Sequence, residues 1–135
     1  MECSRPRPRY THPMDALTDA LRDQEGHPAV QNASPAEIRQ WMDAGLPVRL
    51  IDVREGREWD YCRIEGAELM PLSQIQEWSQ RISPNGGPYV VYCHTGVRSL
   101  MACRRLAALG VERLINMRGG IDRWSQQVDS SIPRY

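Results

Sequence analysis

The run YVVYC, Tyr89 to Cys93, passes into an amphipathic stretch within a few residues, and this junction constrains the fold more than any other feature. A β-rich run without a polar position has no face to offer water. It belongs inside a sheet that is covered on both sides. Beyond Gly96 the hydrophobic period changes. Leu100, Ala102, Cys103, Leu106, Ala107 and Leu109 cover about half the circumference of a helix, while Arg104 and Arg105 point away. A buried strand feeding directly into a helix is half of a βαβ unit.

The same alternation recurs along the chain. In ASPAEIRQWMDAGLP, Ser34 is an N-cap, Pro35 suits the first helical position and Glu37 completes a Ser-x-x-Glu capping box. Ile38, Trp41 and Met42 share one face, and Gly45 with Pro47 ends the helix. VRLIDVR (Val48–Arg54) follows as a strand. PLSQIQEWSQRI predicts a second capped helix, with Ser73 answered by Gln76 and with Ile75, Trp78 and Ile82 at helical spacing. After the turn cluster SPNGGP and the Tyr89 strand, RLINM (Arg113–Met117) is another strand and IDRWSQQV a last short helix. The expectation is an α/β domain with a mainly parallel central sheet flanked by helices. Sites in such sheets form beyond the carboxyl ends of the strands, where Cys93 stands.

Composition narrows the chemistry. The 135 residues suffice for one domain with a real core. The 17 basic residues balance 17 acidic ones, which gives no electrostatic case for nucleic acid as a partner. All 17 are arginine, so lysine-based chemistry (Schiff base, phosphate-loop lysine, serine–lysine dyad) is excluded. No apolar run approaches the roughly 20 residues of a membrane span, and no secretory apolar core opens the chain. Cys3, Cys62, Cys93 and Cys103 lack close-paired zinc or redox spacing, and no His, Cys and carboxylate cluster has metal-ligand spacing. The expectation is therefore a cytoplasmic protein with reduced cysteines, no metal and no organic cofactor, and no membrane partner.

Cys93 has neighbours that its three fellows lack. A loop running from a strand into a helix turns several backbone N–H groups toward one point, and the helix N-terminus adds roughly half a positive charge there. A thiolate at that point is stabilised, and the nucleophilic form is populated. Gly96 permits a tight cradle, His94 and Thr95 bring donors to the rim, and Arg98 offers a fixed charge with a fork for an anionic substrate.

With these residues in place, the chain resembles the rhodanese-homology domains, which are persulfide-forming sulfurtransferases. VVYCHTGVRSLMACRRLAALG is similar to their active-site strand, loop and helix. LIDVREGREWDYCRIEGAELMPL is similar to their Asp-Val-Arg and Gly-Ala…Pro-Leu segments, and INMRGGIDRWSQQVDSSIPRY to their Gly-Gly-x-x-x-Trp ending. Arg63 and Glu65 depart from the family's usual His and Pro. The resemblance implies that Cys93 takes sulfane sulfur from a small-molecule donor, holds it as a persulfide and passes it to a thiol or protein acceptor. It also implies a substrate loop of His94, Thr95, Gly96, Val97, Arg98 and Ser99, with Asp52 and Arg57 supporting that loop. The loop is less basic than in rhodaneses specialised for thiosulfate. Cysteine phosphatases place five residues between Cys and Arg, whereas Cys93 and Arg98 enclose four, a ring better sized for one added sulfur. A sulfur-carrier or interaction module with little turnover is the alternative, and a phosphatase or arsenate reductase a weaker one.

The remaining features complete the expectation. Residues 1–33 read as a flexible extension, with an Arg/Pro arm at Ser4–Pro13 and a short helix at Met14–Gly26; residues 34–135 form the rhodanese-like domain. Cys103 reads as core. Cys62 is a candidate to receive sulfur or to form a protective disulfide with Cys93. Cys3, His12 and His27 read as incidental.

Overall fold

A computed structural model describes residues 30–135. The arm, the short helix, Cys3, His12 and His27 lie outside the described residues. Five strands, β1 (Gln31–Ala33), β2 (Arg49–Asp52), β3 (Glu68–Leu69), β4 (Tyr89–Tyr92) and β5 (Leu114–Met117), form one sheet in the order β1-β5-β4-β2-β3. Every pairing is parallel. The helices are α1 (Pro35–Asp43), α2 (Gly56–Tyr61), α3 (Ile75–Trp78), α4 (Val97–Ala108) and α5 (Gly120–Gln127).

Local sequence accounts for much of this. The Ser34 capping box forms in both directions: Glu37 N–H donates to Ser34 Oγ at 3.2 Å, and Ser34 N–H to Glu37 Oε1 at 2.9 Å. All four β4 residues are buried, as a strand covered on both faces requires. On one face Leu50, Val90, Tyr92, Ile115 and Met117 pack with Ile38 of α1 and with Ile121 and Trp124 of α5. On the other, Ile51, Tyr89, Val91 and Leu114 pack with Trp78 of α3 and with Ala102, Cys103 and Leu106 of α4. Each such large side chain, fully buried, contributes about 1.5–3 kcal/mol.

Three expectations are corrected. Residues 31–33, read as part of the extension, form the edge strand β1: Asn32 pairs with Asn116, and Arg118 N–H donates to Ala33 O at 2.8 Å. The helix expected across PLSQIQEWSQRI is broken into 3-10 turns on either side of the single α turn α3. Ser73 does not cap it, because its hydroxyl donates to Glu55 Oε1 at 2.8 Å. Leu109 lies past the end of α4 and is exposed.

Chain order places the site. From β2 the sheet extends to β3 on one side, while from β4 the chain turns to β5 on the other. The carboxyl ends of β2 and β4 therefore flank the point where the winding reverses, the place such sheets leave a crevice.

Candidate active site

Cys93 follows the last residue of β4, and its side chain is 1 % exposed. The chain then turns through His94 and Thr95 to Gly96, which caps α4 at φ 114°, a conformation favourable only to glycine. That turn brings the Gly96 N–H to 3.0 Å from Cys93 Sγ. Cys93 Sγ also lies 3.5 Å from Ser99 Oγ in the first turn of α4. The Gly96 N–H and the Ser99 hydroxyl thus meet the sulfur where strand, loop and helix start come together.

A second helix grips the loop from behind. Ile121 N–H and Asp122 N–H, at the start of α5, donate to the carbonyls of Cys93 and His94 at 2.9 and 3.0 Å. This approach leaves no room for a side chain at Gly120, where a Cβ would stand 2.5 Å from Cys93 O and 2.4 Å from His94 O. The Gly-Gly pair before Trp124 is therefore a contact surface for the loop that begins at Cys93.

Arg98 is differently placed from its expected role. Its two Nη groups donate to both carboxylate oxygens of Glu58 on α2, at 2.8 and 2.9 Å. Those bonds hold the Glu58 carboxyl down to about 2 against the opposing effect of burial, and raise the Arg98 guanidinium correspondingly. The fork is filled by a protein carboxylate. Glu58 takes a further bond from the Tyr135 hydroxyl at 2.8 Å. The Tyr135 ring lies on the His94 imidazole, with centroids 4.0 Å apart and planes 8° from parallel, and His94 Nε2 is buried with no hydrogen-bond partner among the described residues. Burial pushes the Tyr135 phenol up to about 12, so it remains a donor at neutral pH.

The other expected site residues separate. Thr95 and Val97 are exposed at the rim. Arg57 is exposed in a wall shared with Glu58, Tyr61 and Tyr135. Asp52 is fully buried and accepts from Arg54 N–H at 3.0 Å and from its guanidinium at 2.7 Å. Arg54 in turn donates to Cys62 O at 2.6 Å and to the Tyr135 hydroxyl at 2.9 Å. Asp52 is thus linked to Tyr135 through Arg54. Cys62 packs with Val90 and Tyr92, whereas Cys93 packs with Tyr89 and Val91, so the sheet lies between the two sulfurs. This arrangement rules out the candidate disulfide between them. Cys103 is core, its thiol pushed upward by complete burial.

Glu58 and Tyr135 were not legible as site residues. Glu58 rides on a helix without a buried residue, and Tyr135 is brought in from 41 positions beyond His94 only by the fold. The available signal for Glu58 was an acidic residue in the segment after the Asp-Val-Arg strand.

Comparison with known proteins places the chain in a family and a fold. A family model described as "Rhodanese-like domain" matches residues 34–127. The probable adenylyltransferase/sulfurtransferase MoeZ of Mycobacterium tuberculosis is 37 % identical over 103 residues, covering 76 % of this chain and 26 % of that protein. This chain thus spans about a quarter of that relative's length. The putative sulfur carrier protein YrkF of Bacillus subtilis is 27 % identical over 105 residues, 78 % of this chain and 56 % of that one. The crystal structure of a rhodanese-like domain protein from Staphylococcus aureus superposes with a TM-score of 0.67 at 26 % identity, covering 78 % of this chain and 98 % of that one. No helix among the described residues is long and apolar enough to cross a membrane.

Proposed function

The chain belongs to the rhodanese-like domain family, and we propose that it moves sulfane sulfur from a donor to a thiophilic acceptor through a persulfide on Cys93. The observation that carries this reading is the Cys93 sulfur at a parallel-strand end, 3.0 Å from the Gly96 N–H at the mouth of α4. An N–H aimed at sulfur favours its anion. The Cys93 thiolate attacks the outer sulfur of the donor. A Cys93 S–S bond forms, and the donor's S–S bond breaks with its electron pair leaving on the departing group. An acceptor thiolate or cyanide then attacks the outer sulfur, and Cys93 leaves again as thiolate. No net oxidant is consumed.

The filled fork of Arg98 bears on the donor. With Glu58 ionised beside it, the pair is close to neutral as a unit and draws a dianion such as thiosulfate weakly. A persulfide of low charge or an uncharged organic polysulfide, which needs no cationic fork, fits this mouth better. The loop argues against phosphoryl transfer, since four enclosed residues and an engaged arginine leave no phosphate cradle.

The curated name of YrkF keeps the carrier reading in view: such a protein would load sulfur and hand it to a partner with little turnover on free cyanide. The experiment that separates the readings is the mass of the intact protein after incubation with thiosulfate or with polysulfide, followed by steady-state turnover with cyanide. Loading with turnover supports the enzyme, and loading without turnover the carrier. Absence of loading from either donor would defeat both.

A further inference from the structure

Strand β5 is buried throughout, yet its sequence Leu114-Ile115-Asn116-Met117 holds one amide. Asn116 points to the Cys93 side of the sheet, as its neighbour in register Val91 does. Its Oδ1 accepts from Ser99 Oγ at 2.5 Å, and its Nδ2 donates to Asn32 Oδ1 at 3.0 Å on the edge strand β1. Ser99 Oγ in turn accepts from Cys93 Sγ at 3.5 Å. A chain of hydrogen bonds therefore runs from the reactive sulfur through two buried residues to the exposed Asn32.

The chain has a direction. A serine hydroxyl carries a single proton. With that proton on Asn116, Ser99 turns a lone pair toward Cys93, an arrangement that suits S–H and repels an anion on sulfur. An amide carries a donor and an acceptor on opposite arms. Turned over, Asn116 would donate to Ser99 Oγ and free the hydroxyl proton to point at sulfur. That turn breaks the present bond from Asn116 Nδ2 to Asn32 Oδ1.

We propose that Asn116 is a positioning residue that sets the direction of the Ser99 proton: as an acceptor it holds that proton away from Cys93, and the sulfur gains the Ser99 hydrogen bond only when the amide turns over or is replaced. The other charged or titratable groups around this sulfur are Arg98 and Cys103 of α4, Glu58 of α2 through Arg98, and His94, which has Asp122 of α5 behind it and Tyr135 over it. Apolar Val53, just past β2, and Trp78 of α3 share its apolar cluster. None of these groups exchanges a hydrogen bond with Ser99 among the described residues, which leaves Asn116 as its partner on the side away from sulfur. The inference rests on Cys93 being the reacting atom.

The test is the pH dependence of Cys93 alkylation by iodoacetamide in the full chain, read by mass on the Cys93 peptide. It needs no sulfur donor, so its failure is distinguishable from a failure of transfer. Asn116→Leu leaves the Ser99 proton only sulfur to bond, and the midpoint should move about one pH unit to the acid side. Asn116→Asp, which only accepts, should move it to the alkaline side. In a Ser99→Ala background the leucine shift should vanish. Asn116→Val, smaller and suited to a strand, repeats the test should the leucine variant fail to fold by circular dichroism. An unmoved midpoint in a folded leucine or valine variant, or an equal shift without Ser99, would overturn the proposal.

Discussion

Glu58 grips Arg98 with both carboxylate oxygens across 40 positions of sequence, tying helix α2 to the first turn of α4 beside Cys93. The pair is partly shielded, at 15 % and 33 % side-chain exposure, so solvent screens it less than a surface pair. It fixes the arginine and also removes it as a free anion receptor.

Glu58→Gln should therefore release Arg98 toward substrate. The expected result is faster loading from thiosulfate by several fold, with little change from an uncharged polysulfide. Equal changes with both donors would show that the pair acts only as a brace. The pair also has a pH signature. Because the folded carboxyl is held down to about 2 from 4.5, its stabilisation is complete above pH 4.5 and is lost as pH falls toward 2. Acid titration of stability between those values should be shallower in Glu58→Gln.

Tyr135 stands against the loop that follows Cys93. Its ring covers His94, and its hydroxyl is held between Arg54 and Glu58. Tyr135→Ala should speed alkylation of Cys93 at fixed pH by several fold, whereas Tyr135→Phe, which keeps the stack, should change it much less. Identical rates in the two variants and the parent would remove Tyr135 from the mouth.

Gly120→Ala tests the grip of α5 on the loop. The added Cβ would meet the carbonyls of Cys93 and His94 at a backbone φ of 62°. The expected cost is about 1–3 kcal/mol of stability, measured by denaturant unfolding, with loss of sulfur transfer in the protein that remains folded. A variant with parental stability and turnover would show that the contact yields freely.

How much of this was legible in the sequence depended on whether a residue's role was local. The Ser34 cap, the Tyr89–Cys93 strand and the α4 face announce themselves within a few positions, through hydrogen-bonding residue types and hydrophobic period. Strands β1 and β3 have three and two residues, and only pairing with β5 and β2 makes them strands. Helix α2 buries no residue and so shows no apolar stripe, which hid Glu58 as well. Cys93 was visible because its strand, loop and helix are contiguous. Tyr135 was not, because its partners Arg54, Glu58 and His94 come from three separate segments. Asn116 did leave a trace, as the lone polar side chain in Leu114–Met117, but its partner Ser99 lies on another element.

The central claim is that Cys93 alone carries the transferred sulfur, and the mass of the intact protein after treatment with polysulfide tests it most directly. The parent and Cys103→Ser should each gain one sulfur that cyanide removes, and Cys93→Ser should gain none. A cyanide-labile sulfur on folded Cys93→Ser would contradict the account.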